Sequence, residues 1–293
     1  MELCEIKLKT ENCVAALFRA ATTGLPGKGD SMENMEELFK EKYCALIEKF
    51  AKDVGMCTAG EKVPAIHIPI IGNQYTQSPV KIAFFGIETK GWLSFREFMQ
   101  KCGVGDAAGS PEDAYMYLTQ STSPVNYLEW TNNFHASFFD YIFQFLTAFY
   151  KLPDPKFINN AEHKDLLESF IWGNANSFVS REKLQNLQVE IPEDWDRIKR
   201  ASKIFDTAEY VLDICKPDIA VIMNWNVDDA WFTGEERVQP VKLEPHHSYY
   251  KIKTTHIYKA SHPQHIHKSG IGFQKSIQII IGDYETRKGN EGV

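Results

Sequence analysis

The chain has 293 residues, a mass of 33.5 kDa and a net charge of −7, from 32 basic and 39 acidic residues. With 43% hydrophobic and 24% charged residues, the composition is that of a globular protein and excludes general disorder. The acidic balance argues against a surface coated in positive charge, although it leaves room for one local basic face. The length fits either two domains or one larger α/β domain.

The N-terminal segment, MELCEIKLKTENC, carries charges where a signal peptide needs an apolar core. No apolar run approaches the roughly 18 residues of a membrane span. We therefore expect a soluble, intracellular (cytoplasmic) protein with no membrane partner. The six cysteines are scattered without a C-x-x-C pair, so the sequence indicates neither a zinc ribbon nor an iron–sulfur site.

The first strong pattern along the chain is an amphipathic helix over about 32–54. Its apolar residues recur at helical spacing and predict one buried face: Met35, Leu38, Phe39, Tyr43, Leu46, Ile47 and Phe50. Gly55 stands where a helix C-cap is expected. We therefore expect residues 1–79 to form an N-terminal helical extension, packed on a main domain over 80–293.

Four segments are predicted strands, and the first, a continuous apolar run with a polar end, is typical of a strand that is buried on both faces of a sheet. They lie at 81–88 (KIAFFGIE), 170–175 (FIWGNA), 218–225 (DIAVIMNW) and 251–260. Helices are predicted around them over about 91–101, from Ser110 onwards, and over 134–149, 192–215 and 273–284. This alternation predicts a three-layer α/β/α fold with a central, mainly parallel four-stranded sheet.

Polar residues follow several of these strands. Glu88 ends the first, Asn174 and Asn176 lie at the end of the second, and His262 follows the fourth. In open α/β sheets the site lies beyond the carboxyl ends of the strands. There a carboxylate can position water, an amide can bind the edge of a nucleobase, and an imidazole can stabilise an oxyanion. Spacing alone leaves the class of ligand open.

A metal site is the other interpretation of the histidines near residue 262. His265 and His267 lie close to His262 in the chain, but their spacing matches no known zinc signature. We therefore predict no metal.

The ordered set of strand-end motifs resembles the uracil-DNA glycosylase superfamily, over about residues 80–285. Gly86-Ile87-Glu88-Thr89 stands where that family has a Gly-x-(Asp/Asn/Ala)-Pro loop, and Asn174 stands where it has an asparagine. The stretch 216–222 (KPDIAVI) resembles the run of Lys-Pro and an apolar strand in its microbial branches. His262-Pro263 stands where the family has a His-Pro-Ser motif.

The resemblance implies a DNA repair enzyme of uracil-DNA glycosylase-like fold. Such an enzyme flips a deaminated base out of DNA and hydrolyses its N-glycosidic bond without a cofactor. It implies that Glu88 orients the attacking water and that His262 donates a hydrogen bond to the carbonyl of the leaving base. Asn174 would read the pairing edge of the base, with Asn176 as an alternative.

Further contacts follow from the same resemblance. Phe95 and Trp92 are candidates for the ring that stacks on the base. Ile266 stands where the family has a leucine wedge that fills the gap left by the flipped base. DNA contacts are also expected from Gln264, which replaces the serine that contacts a phosphate, and from Lys90 and Lys268.

The charge distribution gives an independent argument for DNA. The segment 241–275 carries six lysines and a single acid, Glu244, so its net charge is +5 and the rest of the chain has −12. A basic face near the His-Pro motif would suit phosphate binding, whereas a solvated segment without such a role would have the same composition.

Departures from the family pattern leave alternatives open. Thr89 replaces the family's proline, and Glu88 is one methylene longer than aspartate. These changes are compatible with a glycosylase of altered base preference or with a non-catalytic protein of the same fold that binds a nucleic acid or a base. An unrelated α/β hydrolase is the third possibility. The sequence does not predict an oligomeric state.

Overall fold

The computed structural model describes residues 29–57, 59–88, 93–105, 107–120, 137–152, 164–244, 246–266 and 270–291. At residues 29–33, 88, 164 and 165 the description covers the backbone alone.

Seven strands form one mixed sheet. They are β1 (Ile70–Ile71), β2 (Ile82–Glu88), β3 (Phe170–Asn176), β4 (Ile219–Ile222), β5 (Val241–Glu244), β6 (His247–Ile252) and β7 (Thr255–Ala260). Their order is β1-β3-β2-β4-β7-β6-β5. The four consecutive strands β3, β2, β4 and β7 are parallel, while β1 on one side and β6 and β5 on the other are antiparallel to their neighbours. The α/β class is confirmed, but the predicted four-stranded sheet is wrong in extent.

Helices surround this sheet. They are α1 (Gly29–Val54), α2 (Phe95–Lys101), α3 (Pro111–Gln120), α4 (Ser137–Phe149), α5 (Lys164–Leu167), α6 (Arg181–Asn186), α7 (Trp195–Ala201), α8 (Ala230–Thr233), α9 (Pro263–Ile266) and α10 (Phe273–Glu291). Short 3₁₀ turns occupy Tyr75–Gln77 and Ser202–Phe205, and Val211–Cys215 is a π-helical turn. None of the described helices is long and apolar enough to cross a membrane.

The sheet is buried on both faces because its side chains alternate between two apolar clusters. Phe85 on β2 faces the cluster that contains the buried residues of α1, α2 and α3. Its neighbour Phe84 faces the opposite cluster, which contains the buried residues of α4 and α10. Helices therefore cover both faces of the sheet.

The described part of the predicted N-terminal extension packs on the sheet. Helix α1 buries Phe39, Tyr43, Ile47 and Phe50 in the cluster that also holds Phe85, and it ends before Gly55, which has the positive φ of 59° expected of a C-cap glycine. Residues 70–71 form the edge strand β1. The boundary at residue 80 stays a prediction.

The predicted helix over 192–215 is wrong in its continuity, because the structure has α7, the 3₁₀ turn that follows it directly, and then a separate π-helical turn at Val211–Cys215. The chain leaves the helical conformation at Asp206, where φ is −80° and ψ is 63°. The Asp206 carboxylate accepts hydrogen bonds from the backbone N–H and the hydroxyl of Ser177, each at 2.7 Å. This contact with the end of β3 replaces a continuous helix.

The predicted strand over 251–260 is wrong at its start. Lys251 and Ile252 end β6, and the chain reverses before β7 begins at Thr255. Lys253 makes this turn with a φ of 53°, a conformation that glycine and asparagine adopt more readily than lysine. The residue types therefore gave no sign of the turn.

Candidate functional site

The four parallel strands end at the same edge of the sheet, which we call the carboxyl edge. On adjacent strands, Glu88 is paired with Asn176 and Gly86 with Asn174. His262 comes two residues after the end of β7. Since neighbouring strands lie about 4.8 Å apart, β2 and β7 are separated by about 10 Å, with β4 between them. The fold thus places the backbone positions of all three predicted site residues along one edge.

Gly86 makes room for the side chain of Asn174. A Cβ atom on Gly86 would lie 2.9 Å from Oδ1 of Asn174 and 3.0 Å from Cε2 of Phe138, closer than such contacts allow. The half-buried amide of Asn174 therefore lies over the backbone of β2, next to the aromatic ring of α4. No hydrogen bond joins this amide to another residue in the described ranges.

Asn176, the alternative base-reading residue, has a structural contact. Its Nδ2 donates a hydrogen bond to the carbonyl oxygen of Ile87 at 3.2 Å, which ties the end of β3 to the end of β2. An amide that is used in this way has less freedom to bind a ligand. Between the two asparagines, the contacts favour Asn174.

His262 has a defined ring orientation. Its Nδ1 accepts a hydrogen bond from the backbone N–H of Gln264 at 3.2 Å, at the start of α9. A neutral imidazole that accepts through Nδ1 carries its proton on Nε2. A neutral His262 in this orientation has its proton on Nε2, the atom that would donate to an oxygen that gains negative charge.

The loop after β4 completes the described part of the edge. Oδ1 of Asn224 accepts from the backbone N–H of Asn226 at 3.2 Å, and the chain then turns outward. Lys259 on β7 donates to the carbonyl of Val227 and to the carboxylate of Asp229, both at 2.7 Å. These contacts fix the loop to β7, so Lys259 has a positioning role and its charge is paired.

Two predicted contacts are wrong. Phe95 is fully buried at the start of α2, where its ring packs against Phe50, Phe98 and Phe178, so it cannot stack on a base. It had been selected only because it is close to Glu88 in the chain. Ile266 is also fully buried, in the cluster on the α4 and α10 side, so it is not an exposed wedge.

The structure does not test the other predicted contacts. Trp92, Lys90 and Lys268 lie outside the described residues, as does the side chain of Glu88. Gln264 is exposed on α9. Its proposed contact with a phosphate stays a prediction.

The expected basic face over 241–275 is not continuous. Lys251 and Lys253 lie near the turn between β6 and β7, at the edge opposite to His262. Lys251 pairs with Glu291, and Lys253 pairs with Asp213. With Lys259 paired as well, three of the six lysines are engaged by acids. The charge pattern of the sequence therefore overstates the positive charge at the carboxyl edge.

His67 is a polar residue of this region that the sequence gave no reason to select. Its backbone N–H donates to the carbonyl of Ser177, the residue after β3, at 2.7 Å. Its ring lies against Trp172, with the centroids 4.6 Å apart. Burial lowers the pKa of His67 from its usual 6.5 to about 3, so the ring is neutral near pH 7. His67 does not follow a predicted strand, and its neighbours in the sequence are apolar. The sequence therefore contains no motif that would single it out.

Among the residues that the structure describes, no group of three or more His, Cys, Asp or Glu side chains is placed to hold a metal ion. Comparisons of the chain with family models, with curated proteins and with solved structures found no match. The site must therefore be interpreted from its own geometry.

Proposed function

We propose that the protein is a uracil-DNA glycosylase-like repair enzyme, with the fold of that superfamily, that binds DNA and hydrolyses the N-glycosidic bond of a deaminated base. The observation that carries the proposal is the pairing of β2 with β3. It sets the amide of Asn174, which has no hydrogen bond to another described residue, over Gly86, two residues before Glu88, at the edge that His262 also flanks. The same three residue types, in the same chain order, gave the resemblance.

Each residue has a role that matches its chemistry. The Asn174 amide offers a donor and an acceptor to the pairing edge of a base. Nε2–H of His262 donates to the base oxygen that gains negative charge as the bond to the sugar breaks. The Glu88 carboxylate orients water for attack on C1′ of the sugar and balances the positive charge that develops there. The leaving base takes the bonding electrons, and water supplies the new oxygen at C1′.

The proposal is tested by base release from DNA. We expect the full chain to leave alkali-labile abasic sites in an oligonucleotide that contains uracil or hypoxanthine. Glu88→Gln and His262→Ala should each lower the rate by about 100-fold or more, in the range of lost acid–base or oxyanion stabilisation. Glu244→Gln and His246→Ala change exposed residues of the same types and should leave the rate unchanged. Undiminished release by Glu88→Gln, or no release by the unaltered chain, would contradict the proposal.

One observation favours a second function, that of a non-catalytic protein that binds a free base rather than a nucleic acid. Lys251, Lys253 and Lys259 are paired with acids, and the first two lie away from the carboxyl edge. Fewer free cations weaken the phosphate contacts that supply most of the affinity for DNA. Binding of free uracil without base release from DNA would identify this second function.

A further inference from the structure

A cavity of about 470 Å³ lies at the amino ends of the parallel strands. Its walls come from α1, α3 and β1, which contribute Glu36, Tyr115 and Ile70–Ile71, and from Glu168, two residues before β3. We call it the amino-edge cavity. The length of β3 separates Glu168 from Asn174, so the cavity is distinct from the proposed active site.

Glu168 is a buried acid without a counter-ion. The residue is only 7% exposed, and its Oε1 accepts a hydrogen bond from Nδ2 of Asn73 at 3.3 Å. That amide is neutral, and within the part of the chain that the structure describes no Lys, Arg or His forms an ion pair with Glu168. A buried carboxylate is unfavourable unless a cation or several hydrogen bonds compensate its charge. A cation in the adjoining cavity would supply that compensation.

The backbone holds Glu168 in place beside the cavity. Gly72, directly after β1, lies so close to Glu168 that a Cβ atom on it would be 2.1 Å from the Glu168 carbonyl oxygen. The same carbonyl accepts a hydrogen bond from the backbone N–H of Gln74 at 2.9 Å. Since only glycine permits so close an approach, the chain after β1 fixes Glu168 as a rigid part of the cavity wall.

A second carboxylate gives the cavity a consistent charge. Glu36 of α1 lines it as well and, like Glu168, forms no ion pair with a described residue. Partial burial raises the pKa of the Glu36 carboxyl from its usual value, because no neighbouring cation offsets the loss of water. Both acids therefore favour a positively charged ligand over a neutral or anionic one.

The rest of the lining favours an organic cation over a metal ion. Among the described residues, no group of three or more His, Cys, Asp or Glu side chains is placed to hold a metal. Ile70, Ile71 and the half-buried ring of Tyr115 give the cavity apolar walls. Such walls suit an alkyl chain, and a tyrosine ring also attracts an ammonium group through its π-face.

We propose that the amino-edge cavity binds a small alkylammonium ion, whose charged end pairs with Glu168 and whose alkyl chain lies against the apolar walls. An ammonium group donates hydrogen bonds to the carboxylate that Asn73 leaves without a balancing charge. A diamine of suitable length also reaches Glu36. The proposal goes beyond the proposed function, because it assigns a second ligand site at the opposite end of the strands.

The experiment is calorimetric titration of the full chain with butylamine and with putrescine, the diamine of the same length, at constant ionic strength. We expect both amines to bind saturably and to raise the melting temperature, and putrescine to bind more tightly because two carboxylates line the cavity. Butanol, which has the same alkyl chain without the charge, should do neither. Calcium chloride should not displace the amines.

Glu168→Gln is the decisive variant, because it keeps the shape of the side chain and removes its charge. It should lower the affinity for both amines about tenfold or more. Without ligand it should raise the melting temperature by about 2–6 °C, since a buried unpaired charge is lost. Glu37→Gln, at an exposed acid of α1 outside the cavity, should change neither quantity.

Met116→Lys tests the site without altering Glu168. Met116 lines the cavity from α3 and is 39% exposed, so a lysine there supplies a tethered ammonium group that competes with the ligand. We expect it to weaken amine binding about tenfold. If Glu168→Gln fails to fold, undiminished amine binding by Met116→Lys overturns the proposal.

Three results with the unaltered chain and Glu168→Gln would also overturn the proposal. They are no binding of either amine, displacement of the amines by calcium, and unchanged amine affinity in Glu168→Gln. A lower melting temperature of ligand-free Glu168→Gln would likewise overturn it, because the carboxylate would then be stabilised within the chain itself. Base release from DNA should be the same in Glu168→Gln as in the unaltered chain, so this proposal and the proposed function fail independently.

Discussion

The polar groups at the two ends of the parallel strands differ in their internal hydrogen bonds. At the amino ends, the Asp218 carboxylate accepts from the backbone N–H of Lys81 at 2.8 Å, and the hydroxyl of Thr255 donates to the carbonyl of Pro217 at 2.7 Å. At the carboxyl edge, the amide of Asn174 and the ring of His67 have no such partners among the described residues. The polar groups named at the amino ends therefore stabilise the fold, whereas under the proposed function the amide of Asn174 at the carboxyl edge would bind a base.

The largest effect that we expect is a loss of folding stability in acid that is caused by the buried ring of His67. The pKa of His67 is about 3 in the folded protein and has its usual value of 6.5 in the unfolded chain. Between pH 6.5 and pH 3, the unfolded chain therefore binds a proton at this ring and the folded protein does not. The stabilising effect of a neutral His67 is complete above pH 6.5 and is lost as the pH falls towards 3. The loss reaches on the order of 4 kcal/mol.

Urea unfolding at pH 7, 6, 5 and 4 measures this loss. The unaltered chain should lose stability more steeply than His67→Phe over this range, because the variant lacks the titrating ring. Parallel curves for the two proteins would mean that His67 does not titrate between these pH values.

The next effect compares two glycines that lie beside opposite ends of β3, Gly72 after β1 and Gly86 on β2. A Cβ atom on Gly72 would overlap the backbone carbonyl of Glu168, at the amino end, whereas one on Gly86 would press on the Asn174 side chain and Phe138. Gly72→Ala should cost about 3 kcal/mol of unfolding free energy. Gly86→Ala should cost less, about 1–2 kcal/mol, because side chains can shift, but should lower base binding about tenfold or more.

Denaturant unfolding and base affinity, measured on both variants, check this pair. Gly60→Ala is the matched control, because nothing lies within 4 Å of its added Cβ atom. If Gly72→Ala weakens base affinity as much as Gly86→Ala does while both variants remain folded, base binding is not confined to the carboxyl edge and the comparison is contradicted.

A smaller effect separates the two asparagines of β3. Asn174→Ala should leave stability nearly unchanged, because its amide has no hydrogen bond to another described residue, and should lower base binding about tenfold or more. Asn176→Ala should remove the bond to Ile87, at a cost of about 1 kcal/mol, and affect binding less. Thermal unfolding and base titration of both variants measure the losses of stability and of base affinity. A larger loss of base affinity in Asn176→Ala than in Asn174→Ala would make Asn176 the base-reading residue.

The smallest expected effect is at Lys253. It is exposed, pairs with Asp213 and lies at the amino ends of the strands, so Lys253→Ala should change neither the melting temperature nor the affinity for DNA. Affinities at several salt concentrations are the measurement. A lower salt dependence of DNA affinity in the variant would mean that Lys253 contacts a phosphate. It would then support the basic face that the composition of 241–275 suggested.

How far the sequence predicts the molecule depends on the local signal of each element. All four parallel strands are predicted from the sequence, most clearly β2 and β4, which begin as continuous apolar runs, whereas the strand that ends as β7 is predicted to begin four residues too early. Strand β1 has two residues, and β5 is mostly exposed, so neither contains the pattern of a buried strand. The break at Asp206 depends on a contact with Ser177, which is distant in the chain and invisible to local periodicity.

The candidate site divides in the same way. Asn174 and His262 were selected because parallel strands bring their ends together, a rule that needs only the order of the strands. Phe95 and Ile266 were selected by position in the chain or by resemblance, and neither argument contains information about burial. His67 was missed because its significance comes from unsatisfied nitrogens in a packed interior, which only coordinates reveal.

The borders of the sheet have a consequence for self-association. β1 offers two residues of free edge, and the register between β5 and β6 shifts between Lys242 and Glu244. A short edge and an irregular, charged one are poor templates for hydrogen bonding to a further chain. Of the strands that the structure describes, neither border therefore favours strand-to-strand association between copies of this protein, even at high concentration.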